Sequence, residues 1–193
     1  MRICVYGASS PTIDQEFIRK TEIMGREMAQ RGHCLVFGGG AHGLMGAAAR
    51  GVRENGGHII GVIPKFFKKE MVEGVSEICD EIYTPDTMRE RKQIMEDFAD
   101  AFVMVPGGIG TYEEFFEILT AKQLCRHNKP IAIFNIDRYF DELLHAMQVA
   151  TQKNFIMDSV SELFCVTDDL EVLFNYLEKP AKEQGRVSDY KEG

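Results

Sequence analysis

The sequence predicts a single α/β domain built on a doubly wound parallel sheet of six to seven strands with helices on both faces. Three observations carry that prediction. Short apolar runs alternate with longer segments of helical period, the order of a β-α-β chain. Several of these runs are apolar at every position, as expected of strands covered on both sides. Two of them lead into glycine-rich loops that open helices, the chain path of a Rossmann-like fold.

The strand candidates are Ile3–Tyr6, Cys34–Phe37, His58–Ile63, Glu77–Tyr83, Ala101–Val105, Ile131–Asn135 and, as a seventh, Leu163–Val166. Between them, Asp14–Arg31 spaces Phe17, Met24 and Met28 along one helical face, and Gly32 suits the residue past its end. Gly43–Asn55 is alanine-rich and stops at Gly56-Gly57. Thr87–Phe98, Thr111–Cys125, Tyr139–Gln152 and Asp168–Leu177 complete the helices, while Lys65–Val75, behind Pro64, reads as a loop or short helix. Residues 1–178 are expected to form the domain and 179–193 a polar, frayed tail.

A chain of 193 residues, 45% hydrophobic and 27% charged, suits one well-packed globular domain. Its formal net charge of −8 disfavours a nucleic-acid partner, which calls for a basic face, but leaves room for a small anionic ligand. No run approaches the roughly 18 apolar residues of a membrane helix, so no membrane partner is expected. Met1–Tyr6 enters a strand-like run directly; no leader is expected, and the cytoplasm is the default compartment. The 5 cysteines are scattered without a C-x-x-C pair, and Cys4, Cys34 and Cys165 fall in apolar runs as small hydrophobes. The histidines also lack ligand spacing. Neither disulfides nor a metal site is expected.

In an open parallel sheet, ligands bind beyond the carboxyl ends of the strands. That rule points to Gly7–Asp14, Gly38–Gly43, Pro64–Val75 and Pro106–Thr111. Gly38-Gly39-Gly40-Ala41-His42-Gly43 fits G-x-G-x-x-G, but it follows the second strand. The next strand ends in Pro64-Lys65, without the acidic residue that would hold a dinucleotide ribose. A nicotinamide or flavin cofactor is disfavoured. The glycines either line a ligand, at Gly39 and Gly40, or permit a tight turn and close helix–sheet packing at Gly43 and Gly46; both readings stay open.

Pro106-Gly107-Gly108-Ile109-Gly110-Thr111 carries more chemistry. It follows Ala101–Val105 and opens an amphipathic helix. Glycines let the backbone wrap an anion, and the helix start supplies unpaired N–H groups and a positive dipole end. With no Lys-Ser or Lys-Thr behind it, the loop offers a phosphate cradle rather than a nucleotide-triphosphate motor. Glu114 lies one turn into that helix. It serves either as the partner of Thr111 in a capping box or as a carboxylate beside the ligand. Met88, Arg91 and Met95 share one helical stripe, which carries a guanidinium inward if the stripe is buried. A buried arginine needs an anionic partner, either Glu114 or the ligand; otherwise Arg91 snorkels to water. Lys92 adds to the local positive field.

The segment Pro106–Glu114 is similar to the P-G-G-x-G-T-x-x-E signature of the LONELY GUY family, the cytokinin-activating phosphoribohydrolases. Met88–Met95 resembles that family's M-x-x-R-K-x-x-M element, and Gly38–Gly46 its G-G-G-x-x-G-L-M-G loop; Gly61–Pro64 matches G-V-I-P. The resemblance runs from residue 1 to about 177. It implies hydrolysis of the N-glycosidic bond of AMP or of a cytokinin riboside 5′-monophosphate, releasing base and ribose 5-phosphate. It also implies a homodimer and no cofactor. By the same resemblance Arg91 and Glu114 are the catalytic pair. Lys92 and Gly107, Gly108, Ile109, Gly110 and Thr111 contact the nucleotide, as does Glu70. Plant members carry T-W-A-Q-L where this chain reads Thr120-Ala121-Lys122-Gln123-Leu124, a departure that bears on base recognition. The competing class is a non-catalytic module that senses a nucleotide or carries a cofactor; it would need the glycine loops but neither Arg91 nor Glu114.

Overall fold

A computed structural model describes residues 1–70, 78–180 and 185–191. In chain order the elements are β1 (Arg2–Tyr6), α1 (Gln15–Gln30), β2 (Cys34–Phe37), α2 (Gly43–Glu54), β3 (Ile59–Val62), α3 (Lys65–Glu70), β4 (Glu81–Tyr83) and α4 (Met88–Phe98). There follow β5 (Ala101–Met104), α5 (Ile109–Gln123), β6 (Ile131–Phe134), α6 (Asp141–Gln152), β7 (Cys165–Thr167), α7 (Leu170–Leu177) and α8 (Ser188–Lys191). The seven strands form one sheet in the order β4-β3-β2-β1-β5-β6-β7, with every pairing parallel. The chain therefore winds outward from β1 in one direction as far as β4, then returns to β1's other side and winds the opposite way.

Alternation along the central strand divides the core in two. Ile3 and Val5 of β1 face α1, α2 and α7 and pack with Met24, Met28, Ala48, Val52 and Phe174. Cys4 and Tyr6 point to the opposite face, toward Met95 of α4 and Phe115, Ile118 and Leu119 of α5. Both faces of β1, β2 and β5 are covered, which is why these strands read as continuous apolar runs. Cys4 is buried, and Cys34 and Cys165 are half-buried, in the strands where they were expected.

Local chemistry sets the helix starts. Asp14 caps α1 by accepting a hydrogen bond from Glu16 N at 2.8 Å, and Gly32, with φ +74, follows its end. At α4, Thr87 Oγ1 accepts from Glu90 N at 3.1 Å while Glu90 reaches back to Asp86 N at 2.9 Å. A capping box was one of the two readings open for Glu114 at α5, and it does not occur there. Helix α5 begins two residues earlier, with Gly108 as N-cap and no side-chain cap, and Thr111 is already inside the first turn. Of the expected strand Glu77–Tyr83 only Glu81–Tyr83 forms β4; residues 78–80 lead into it outside the strand, and Glu77 lies outside the described residues. The last strand sits two residues later than expected, because Asp158–Leu163 forms a 3-10 segment whose Val160 and Leu163 are buried. Within the segment expected to fray, α8 packs on that 3-10 turn, with Ser159 Oγ donating to Asp189 O at 2.6 Å and Gln123 Nε2 donating to Tyr190 O at 2.8 Å. No helix among the described residues is long and apolar enough to cross a membrane.

Candidate active site

Tyr6 of β1 pairs in register with Met104 of β5, so the carboxyl ends of the two strands lie side by side where the winding reverses. The loops after them are tied together: Ala8 N donates to Pro106 O at 3.1 Å, and Leu44 N at the start of α2 donates to Ala8 O at 2.8 Å. Beyond this junction α5 opens without a side-chain cap. Its first intrahelical bond runs from Tyr112 N to Gly108 O at 3.0 Å, so the N–H groups of Ile109, Gly110 and Thr111 precede the ladder and are available to an anion. Gly108, Ile109 and Gly110 are exposed. A Cβ added at Gly108 or Gly110 would meet nothing within 4 Å, so there is open space over this helix end. Thr111 is buried, and its hydroxyl packs so closely on Gly107 that a Cβ there would lie 2.1 Å from Thr111 Oγ1.

Glu114 follows Gly110 by four residues and so projects from the same face of α5 as the open end. Its side chain is only 12% exposed and meets Arg91 across the α4–α5 contact, Arg91 Nη1 to Glu114 Oε1 being 3.4 Å. Arg91 is buried, and its Nε donates to the Val62 carbonyl at the end of β3 at 3.2 Å. The same stripe holds the buried Met95, while Met88 is exposed at the rim. Both groups of the expected pair are therefore brought together, with α4 supplying one and α5 the other. Burial pushes the Glu114 carboxyl up to about 7; Arg91 opposes that rise, and Glu113 and Glu117 add to it. Tyr6 and Cys4, on the same face of the sheet, are also held protonated, chiefly by burial. A carboxyl poised near neutrality beside an anion-accepting helix end is equipped to exchange a proton or to stabilise a developing cation.

The first glycine loop proves to serve this pair through packing. A Cβ on Gly38 would fall 1.9 Å from Arg91 Nη2, so only glycine leaves room for the guanidinium against the end of β2. Gly39 has φ +78 and lies against Ile63, whereas Gly43 and Gly46 press on the carbonyls of Ala8 and Ala41. Gly40 is buried beside them. Lys92 turns away from Arg91 and forms ion pairs with Glu113 and, at 2.8 Å, Glu117, so its charge is already balanced by α5. The side chain of Glu70, the last residue of α3, lies outside the described residues. Among the described residues no cluster of three or more His, Cys, Asp or Glu could hold a metal ion.

The other flank of the cradle opens into a cavity of about 210 Å³ whose walls include Ser10, Phe17, Leu44, Gly107, Gly108 and Tyr139. Sequence reasoning singled out neither Tyr139 nor the Val62 carbonyl. Each reaches the site from a distant strand end, and a backbone acceptor has no residue-type signature.

The family model described as "Possible lysine decarboxylase" matches residues 45–177. The cytokinin riboside 5′-monophosphate phosphoribohydrolase LOG of Oryza sativa subsp. japonica is 37% identical over 190 residues, covering 97% of this chain and 78% of that protein. The phosphoribohydrolase LOG3 of Arabidopsis thaliana is 35% identical over 187 residues, with coverages of 97% and 86%. Among solved structures, the molybdenum cofactor binding protein from Rippkaea orientalis aligns with a TM-score of 0.68 at 21% identity, covering 90% of this chain and 93% of that one. The molybdenum cofactor carrier protein from Chlamydomonas reinhardtii gives 0.66 at 22% identity, with coverages of 92% and 98%. At those identities the likeness shows the fold alone. The sequence relatives go beyond fold, and with them this chain belongs to the LOG phosphoribohydrolase family.

Proposed function

We propose that the protein hydrolyses the N-glycosidic bond of a nucleoside 5′-monophosphate, AMP or a cytokinin riboside 5′-monophosphate, to the free base and ribose 5-phosphate. The observation that carries this reading is the buried carboxyl of Glu114, raised to about 7 and held by Arg91, one turn along the helix whose uncapped end opens over exposed glycines. The phosphate docks on the N–H groups from Gly107 to Thr111, where the helix dipole favours negative charge. Anchored there, the ribose presents C1′ to Glu114. The C1′–N bond lengthens, its electron pair leaving with the base, and the sugar approaches an oxocarbenium ion that the carboxylate stabilises. A water oxygen bonds to C1′ from the other face. Glu114 takes one proton from that water, solvent protonates the departing base, and Glu114 returns its proton to solvent, so the cycle consumes one water and restores the carboxylate. Arg91 favours the ionised form of the carboxylate and aims it, and phosphate binding remote from the breaking bond contributes orientation.

Incubation with AMP and chromatography for adenine tests the proposal. Adenine should appear with the wild type and fall by two orders of magnitude or more with Glu114→Gln and with Arg91→Ala, on the scale of about 10²–10³ for loss of a key electrostatic group. Adenosine, which lacks the anchor, should be a poor substrate. Unchanged adenine release in both variants, or equal hydrolysis of adenosine and AMP, would refute the assignment. A carrier or sensor of the same fold would bind the nucleotide and release no base. The working unit is proposed to be a homodimer, which exposed Ile82, Tyr83 and Met88 beside the Arg91 helix support. Sedimentation equilibrium reads that directly.

A further inference from the structure

We propose that Tyr139 is a positioning residue that locks the peptide at the mouth of the phosphate cradle, an inference that rests on the cradle reading above. Tyr139 Oη donates to the Gly107 carbonyl at 2.8 Å. That carbonyl belongs to the same planar peptide as Gly108 N–H, so holding the oxygen in one direction aims the N–H in the opposite one. Gly107 is packed against Thr111, and Gly108 O accepts from Tyr112 N at 3.0 Å, but no side chain of the glycine–glycine pair itself fixes the peptide between them. Neither residue has a side chain, both sample wide backbone ranges, and the Gly108 side faces open space. An anion site made of backbone N–H groups is only as good as their alignment, and here one phenol adds a restraint at the carbonyl of the peptide that carries Gly108 N–H.

Backbone strain marks the placement of Tyr139 as well determined. The two residues before it, Asp137 and Arg138, adopt left-handed conformations with φ 51 and φ 61, although neither is glycine. Such conformations persist only where the surroundings over-determine them. Here the buried Asn135 does so: its Oδ1 accepts from Phe140 N at 2.8 Å, its Nδ2 donates to Asp141 Oδ1 at 2.9 Å, and its own N–H donates to Thr167 O at 2.8 Å. Lys20 of α1 forms an ion pair with Asp137. The Tyr139 ring then stands edge-on to Phe140, with centroids 4.9 Å apart, and to Phe17 at 6.1 Å. A whole turn between β6 and α6 is thus bent against local preference, and its product is a tyrosine 43% exposed with its hydroxyl on the cradle. Burial, with help from Tyr112 in the first turns of α5, raises the phenol further, so it remains a donor across the working pH range.

Tyr139→Phe keeps the ring contacts and deletes the bond. The probe is ribose 5-phosphate, titrated calorimetrically into wild type and variant, because its binding requires no turnover. Affinity should fall about five- to tenfold, the factor that one neutral hydrogen bond commands. KM for AMP should rise in parallel while kcat stays within about twofold, and hydrolysis of adenosine should not change. A purely structural role would move the phosphorylated and unphosphorylated ligands together or leave both unmoved, and either result overturns the role of Tyr139 alone. Wild type that neither binds ribose 5-phosphate nor releases adenine from AMP overturns the cradle itself.

Discussion

Replacing Glu114 with Gln removes an ionisable group while keeping its volume, so the difference in stability between the two proteins isolates what ionising Glu114 costs the fold. In the unfolded chain the carboxyl titrates near 4.5, and in the folded protein near 7. Between those values the native state keeps a proton that the unfolded state has released. The unfolded state then binds fewer protons, and stability falls as pH rises. Over the full interval the loss amounts to about 3 kcal/mol, most of which accrues between pH 5 and pH 8. The substituted amide does not titrate, so its own effect on packing enters the comparison as an offset that does not vary with pH. Urea unfolding of both proteins at pH 5, 6, 7 and 8, in a buffer free of phosphate, reads the difference directly. Wild type should lose about 2–3 kcal/mol relative to Glu114→Gln across that range, or roughly 5–10 °C in melting temperature for a chain of this size. Parallel stability curves would refute the reasoning. They would mean that Arg91 compensates the burial completely and that Glu114 ionises like an ordinary surface carboxyl.

The same titration should appear in turnover: kcat/KM for AMP should rise with pH through about 7 as Glu114 loses its proton, and a pH–rate profile lacking that limb would detach the carboxylate from the chemistry. Gly38→Ala forces a Cβ onto Arg91 Nη2, which stands 1.9 Å from its ideal position. Because that atom is the far end of a flexible side chain, the fold should survive with a melting temperature within a few degrees of wild type while AMP hydrolysis drops by about 10²-fold. Equal losses of stability and activity would show that Gly38 matters to the strand end rather than to Arg91.

What was legible in the sequence, and what was not, divides along physical lines. Periodicity exposed the sheet because β1, β2 and β5 are buried on both faces, and the stripe through Arg91 and Met95 pointed inward as the structure has it. The start of α5 was misread. Thr111 is a good capping residue by type, but Gly108 takes the cap position and leaves the first N–H groups of the helix without a side-chain acceptor. The purpose of Gly38 was hidden because its neighbour, Arg91, is remote in the chain and meets it only once α4 lies across the sheet. Tyr139 carried no signal either. The turn that delivers it uses left-handed Asp137 and Arg138, where glycine or asparagine would have announced the bend.

Topology explains why this pair forms at all. Strand β4 is the far edge of the sheet and β5 lies on the other side of β1, so the connection between them must travel back over β3, β2 and β1. Helix α4 is that connection, and its path carries Arg91 over the carboxyl ends of β3 and β2, where Val62 offers a carbonyl and Gly38 offers space. Helix α5 then starts beside β1 and delivers Glu114 to the same point. A fold with this winding order provides the meeting place whether or not anything reactive occupies it, and so the similarity to molybdenum cofactor proteins at TM-scores of 0.66–0.68 carries no chemistry with it. Hydrolysis depends on what the two helices bring. A buried carboxyl that destabilises the native state above neutral pH is hard to account for as structure, and it is what a sugar carbon turning cationic would require.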